Sequence, residues 1–197
     1  MTFTRATLGL VLLSVGSIAA ADLSDSPDGA YVSDPNHSYI TFSYSHLGFS
    51  VPQVGFDTFT ATLTLDSDAI ESSSIDVSID ANSVNSRVAE FNDHLKGANF
   101  FNTAEHPEIT FVSTGIKQTG DNSYDVMGDL TIKGVTKPVT LATTINKADM
   151  HPMRKVATIG ISGQTVVSRS EFGLSRAVPN VGDEVTIVVT SEMLKSD

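Results

Sequence analysis

Thr58-Phe59-Thr60-Ala61-Thr62-Leu63-Thr64-Leu65 carries an apolar side chain at every odd position and a threonine at every even one. Successive side chains of an extended chain point to opposite faces, so this pattern buries one face and wets the other. The β-branched threonines also favour an extended backbone over a helix. The stretch specifies a half-buried strand. The same rhythm recurs on both sides. Upstream, Ile40, Phe42 and Tyr44 alternate with Thr41 and Ser43, and downstream Ile75, Val77, Ile79 and Ala81 alternate with Asp76, Ser78 and Asp80. Five more strands are predicted around residues 109–111, 124–132, 139–145, 157–161 and 185–189. Turn-forming residues mark many of the joints: Asp66-Ser67-Asp68, Thr119-Gly120-Asp121-Asn122, Lys133-Gly134 and Val181-Gly182-Asp183.

One segment departs from period two. Residues 86–96 contain neither Gly nor Pro, and Val88, Phe91 and Leu95 fall on one helical stripe. Ser86 is the predicted N-cap and Gly97 the predicted stop. The expected order is therefore three strands, a short helix and five strands. Connections this short favour antiparallel pairing. About eight antiparallel strands either close into a barrel, which removes exposed edges, or split into a two-sheet sandwich. Alternation by itself does not separate the two. In a barrel, the inward positions Ala61, Val77, Ala81, Gly128, Val139, Ala157 and Gly163 are small or medium-sized and there is no Trp to plug the centre. An interior cavity is the expectation, because small linings leave volume unfilled.

Composition narrows the functions open to such a fold. The 197 residues hold 23 acidic against 12 basic side chains, a formal charge of −11. This excess of carboxylates disfavours nucleic acid and polybasic docking to anionic lipid. Cys is absent, which excludes disulfides, thiolate metal sites and a cysteine nucleophile. Met1 to Arg5 is short and cationic, and it precedes a mostly apolar run ending in Ala19-Ala20-Ala21. That order predicts a signal peptide over residues 1–21, a single mature domain over 22–197, and a periplasmic or secreted location.

Four segments, in order, resemble the YceI-like polyisoprenoid-binding family of exported proteins. They are Ser45-His46-Leu47-Gly48-Phe49-Ser50 with Gly55-Phe56 and Phe59, and His94-Leu95-Lys96-Gly97-Ala98-Asn99-Phe100-Phe101 running on to Pro107-Glu108-Ile109-Thr110-Phe111. The most specific is the run from Gly128-Asp129-Leu130-Thr131-Ile132-Lys133-Gly134 to Leu141, and the last is Ser168-Arg169-Ser170-Glu171-Phe172-Gly173. The resemblance implies an all-β fold: an eight-stranded antiparallel, lipocalin-like barrel with a short helical insertion between strands 3 and 4. It also implies a partner, an isoprenoid or other long amphiphile such as a prenylated quinone or fatty acyl chain, held in the interior. A homodimer is compatible with it. The chain departs from the family pattern at Phe91-Asn92, where many members carry an Arg-Asp pair.

The candidate ligand-binding residues are Phe42, His46, Leu47, Phe49, Phe59, Phe91, His94, Leu95, Phe101, Phe111 and Arg169. His46 reads either as a hydrogen-bonding group at the cavity mouth or as a buried histidine bonded to backbone. His94 reads as a closure of the barrel end rather than a proton-transfer group. Arg169 reads as a cation for an anionic head group or as a brace for the turn before the last strand. His37, His106 and His151 stand in predicted loops without ligand spacing, so no metal is assigned, and no cofactor motif is present. The leading reading is a non-catalytic exported carrier. The alternatives are an enzyme using His94 or His46 at the barrel mouth, and an acidic stress-related interaction module.

Overall fold

Among the described residues, eleven strand segments merge into eight staves and set the fold. In this computed structural model, Leu23 and residues 26–196 are described; the predicted signal peptide lies outside the described residues. The segments are β1 (Gly29–Ser33), β2 (Tyr39–His46), β3 (Gln53–Phe56), β4 (Phe59–Leu65), β5 (Ser74–Asp80), β6 (Val84–Asn85), β7 (Glu108–Gly120), β8 (Ser123–Ile132), β9 (Val135–Met150), β10 (Ala157–Ser168) and β11 (Val181–Lys195). All pair antiparallel. β1 and β2 lie end to end along β11, through Ser33↔Met193 and then Tyr39↔Thr190. β3 and β4 pair with β2 and β1 in the same way, and β6 and β5 with β3 and β4. With β7 to β11 as single long staves, the sheet closes on itself as an eight-stave barrel.

The predicted strand order holds once these breaks are counted. β1 and β3 escape a periodicity reading because Gly29–Ser33 and Gln53–Phe56 are five and four residues long. The barrel, not the sandwich, is the outcome.

The helix α1 (Ala89–Lys96) is shorter than predicted. Ser86 does not cap it. The Ser86 N–H and hydroxyl both donate to the Asn92 Oδ1, at 2.7 and 2.6 Å, so a helix side chain reaches back to its own lead-in. Val88 is exposed, while Leu95 is buried and Phe91 half-buried, which narrows the expected stripe to its inner turn. Gly97 ends the helix with an extended φ of −67° rather than a left-handed one. The β5–β7 ladder stops at Asp80↔Glu108, and α1 with the following loop stands in the interval between β6 and β7. Lys133 Nζ ties that loop to the β8–β9 turn by donating to the Ala98 carbonyl at 2.8 Å.

Two apolar clusters stack along the barrel axis. The lower one centres on Tyr31, Ile159 and Met193, all fully buried, with Ile116, Tyr124, Val126 and Ile145 around them. The Tyr31 hydroxyl is satisfied by the Pro27 carbonyl at 2.6 Å, so its ring can fill the base without an orphaned donor. The upper cluster contains Ile40, Val54, Phe56, Leu95, Phe101, Leu130 and Phe172.

Candidate functional site: the interior cavity

The upper half of the barrel encloses a cavity of about 480 Å³. That lies within the roughly 300–1,000 Å³ of sites that take small-molecule ligands. Its wall is made of inward side chains from nearly every stave, among them Ile40, Phe42, Val77, Val139, Leu141, Ile187 and Val189. Phe91, Leu95, Phe100 and Phe101, carried by α1 and its loop, roof it. Phe42, Phe56 and Phe101 form a mutually packed trio with centroids 5.7–6.0 Å apart, two of the three contacts edge-on. His94 stands edge-on to Phe100 at 4.9 Å and to Phe91 at 6.3 Å. Such edge contacts hold the roof in one arrangement.

The small inward residues do not all leave space. A side chain on Gly128 would meet the Phe111 ring at 2.4 Å, and one on Gly163 would meet Leu141 at 2.8 Å. Those two glycines make room for neighbouring large residues. The free volume instead lies beside Ala61, Val77 and Val139.

The histidines and arginines of the lining gather at one end, while Thr165 and the buried Ser191 line the wall on β10 and β11. His46, His94 and Arg176 line the cavity and are exposed, so the interior reaches solvent between the end of β2, α1 and the loop before β11. Tyr44 stands one inward position below His46, and burial raises its hydroxyl above the ordinary tyrosine pKa, opposed by nearby Arg169. Arg169 itself is buried. Its guanidinium donates to the carbonyls of Gly182 (2.8 Å), Arg176 (3.0 Å), Val181 (2.9 Å) and Leu174. Burial lowers its pKa, and Asp183 and Tyr44 oppose the shift. Asp183 in turn accepts the Ser170 N–H and hydroxyl at 2.9 and 2.7 Å. Of the two readings of Arg169, the brace is the one built here: four carbonyls engage the fork and knit residues 169–182 into one rim.

Of the candidate residues, Phe42, His46, Phe59, Phe91, His94, Leu95, Phe101, Phe111 and Arg169 line the cavity. Leu47 and Phe49 do not. They sit on the β2–β3 turn, 52% and 90% exposed, because the strand alternation that turns His46 inward ends there. His46 is not buried, which removes the buried-histidine reading. Sequence reasoning passed over Tyr44, Phe56 and Arg176 as site residues. Tyr44 carried a signal, since it shares the inward phase of Ile40 and Phe42. Arg176, in a loop, carried none.

A second polar cluster lies elsewhere. Asp34, His37 and Glu192 bring one ligand atom each within 4.8 Å of one another. The Asp34 Oδ2 already meets His37 Nδ1 at 2.7 Å and Arg154 Nη2 at 2.9 Å, so Arg154 supplies the cation these carboxylates face. His151 Nδ1 accepts the Met153 and Arg154 N–H groups, which leaves its Nε2 as the donor in the neutral ring, 3.8 Å from Glu192. The arrangement is an ion-pair cluster bracing the β1–β2 break. Among the described residues, no helix is long and apolar enough to cross a membrane.

A closed antiparallel barrel with a blind apolar interior and a polar mouth defines a class of binding fold. A family model described as the YceI-like domain matches residues 31–193, and the chain belongs to that family. It is 32% identical over 191 residues to a UPF0312 protein of Azotobacter vinelandii, covering 97% of this chain and 96% of the relative. It is 34% identical over 187 residues to Protein YceI of Escherichia coli O157:H7, covering 94% and 93%. Among solved structures, BcnA of Burkholderia cenocepacia superposes with a TM-score of 0.74 at 26% identity, over 83% of this chain and 99% of that one. A polyisoprenoid binding domain from Saccharophagus degradans superposes with a TM-score of 0.67 at 13% identity, over 86% and 100%, a likeness of fold.

Proposed function

We propose that this protein is an exported, non-catalytic carrier that holds one long amphiphile, a polyisoprenoid, prenylated quinone or fatty acyl chain, with its tail in the barrel and its head at the mouth. The observation that carries the reading is the 480 Å³ cavity walled almost wholly by aliphatic and aromatic side chains, with its histidines and arginines at one end. Each methylene moved from water into such a wall gains roughly 0.8 kcal/mol, so a tail of many carbons supplies the affinity without specific contacts. Tyr44, His46, His94 and Arg176 stand where a polar or anionic head would emerge. Naming of a relative's fold as polyisoprenoid binding supports the ligand class, and the order of residues 1–21 supports export.

The arrangement of the mouth groups supports the non-catalytic reading. His46 and His94 have no carboxylate within hydrogen-bonding distance among the described residues, and a general base needs an orienting partner. Solvent extraction of the purified protein followed by mass spectrometry tests the carrier reading. A stoichiometric long-chain lipid is the expected result. Finding none, together with no uptake of a prenyl alcohol or fatty acid presented in micelles, overturns it.

A further inference from the structure

Beside the cavity mouth, the β2–β3 turn offers its largest side chains to water. Leu47, Phe49 and Val51 are 52%, 90% and 65% exposed. Exposed apolar residues scattered singly need no explanation, but three within five positions at a ligand entrance form a patch. The backbone there is strained as well as exposed. Leu47 has φ +55° and Gly48 φ +75°, with the Phe49 N–H donating to the His46 carbonyl at 3.0 Å. Both central residues of this tight turn are left-handed, a conformation that favours Asn followed by Gly. Leucine at the first of them is an energetically costly choice that folding alone does not reward.

The tip is held, not loose. The Leu47 N–H donates to the Asn180 carbonyl at 3.1 Å, and His46 pairs with Val181. These links join the turn to the loop before β11, so residues 45–53 and 174–181 form one side of the mouth. In a chain of net charge −11, these two segments contain no Asp or Glu, and their one Lys or Arg is the exposed Arg176. One side of the mouth that carries an apolar tip, a single cation and no carboxylate matches the cross-section of a bilayer interface, where acyl chains lie just beneath phosphates. Three side chains bury a few hundred Å² at most, short of the roughly 800 Å² per partner of a stable protein–protein contact. A bilayer sets no such threshold, since each inserted side chain contributes separately.

We infer that the Leu47-Gly48-Phe49-Ser50-Val51 turn is a membrane-docking tip that seats the cavity mouth on a phospholipid bilayer. The inference rests on the carrier reading for its purpose: with the mouth seated on the bilayer, an amphiphile enters without its tail crossing water.

The chain has no Trp, so Phe49→Trp places a single reporter at the tip. With phosphatidylcholine vesicles, its emission is expected to shift to the blue and become protected from an aqueous quencher. Emission unchanged by vesicles overturns the proposal. A blue shift without vesicles that grows with protein concentration also overturns it, since the tip then packs on a second copy. Leu47→Asn supplies the variant that folds: the left-handed site suits Asn, so thermal stability is expected to hold or rise while vesicle partitioning falls roughly tenfold. Partitioning equal to wild type overturns the proposal. In the same variant, uptake of a prenyl alcohol from vesicles is expected to slow while uptake from detergent micelles is unchanged. Wild-type protein that takes up nothing from micelles breaks the carrier reading instead, and the Phe49→Trp emission still decides docking.

Discussion

Ile159 and Ile187 are the same side chain on neighbouring staves, both turned inward, and they live in different media. Ile159, on β10, is fully buried against the lower cluster with Met193 as its ladder partner. Ile187, on β11, is half-buried and faces the cavity. One barrel thus has a solid base and a hollow upper half. The base carries the packing that makes the fold stable, which frees the upper half to leave volume for a guest. Protein interiors are normally close-packed, so unfilled space is tolerated only where other contacts compensate.

The sharpest test of that division is truncation. Ile159→Ala is expected to cost about 2–5 kcal/mol, because it opens a new cavity inside close packing. Ile187→Ala is expected to cost less, under about 2 kcal/mol, since its loss only enlarges a void already present. Chemical denaturation of lipid-extracted protein measures both. Equal losses would mean that the two halves are packed alike.

Enlargement reads the same contrast in reverse. Ile159→Phe is expected to destabilise by about 1–3 kcal/mol through overpacking. Ile187→Phe is expected to change stability by less than about 1 kcal/mol and to reduce lipid uptake, because the ring occupies guest volume. If uptake survives a filled cavity, the guest binds elsewhere.

The glycines at the border give an intermediate case. Gly128→Ala sets a methyl 2.7 Å from the Val112 carbonyl as well as against the Phe111 ring, and backbone does not yield cheaply. Gly163→Ala meets only side chains within that range, principally Leu141, which lines the cavity and has room to tip into it. The first is expected to lower stability by about 1–3 kcal/mol and the second by less than half of that. Thermal unfolding of the pair decides whether the hollow half yields as described.

Much of the barrel was legible because inward phase is written in period two. Ile40, Phe42 and Tyr44, or Ile75, Val77 and Ile79, announce their faces without help. The breaks within the staves were not legible, since a two-residue piece such as Val84–Asn85 is too short to show a period. At the site, residues on strands and α1 could be placed from pattern, but Leu47 and Phe49 came from the family-like segment beside His46, which shows no phase, and the turn after β2 points them to solvent instead of the cavity. Arg176 was invisible, as its position depends on the Arg169 brace folding the loop over the mouth. The division into solid and hollow halves was equally hidden: small residues suggested space, yet Gly128 and Gly163 make room for Phe111 and Leu141 instead.

Asp34 sits at the seam between the halves, after β1 and before β2, and it yields the smallest expected effect. The His37 imidazole, followed by the Asn36 N–H and Arg154, holds its carboxyl below the ordinary aspartate range, against the opposing pull of burial. Its folded pKa being depressed, the unfolded chain takes up the proton first as pH falls. The contribution is therefore complete above the unfolded pKa near ~4 and disappears as pH drops through the lower folded value. Asp34→Asn removes that proton linkage. The variant is expected to be less stable than wild type at pH 7, with the gap closing in acid. His37 and Arg154 are both about half exposed, at 54% and 43%, so each recovers solvation when the carboxylate is lost, which keeps the gap small. Unfolding curves for the pair at pH 7 and in the acid range give the answer. A gap that stays constant across that range would show that the seam is held by shape rather than by charge.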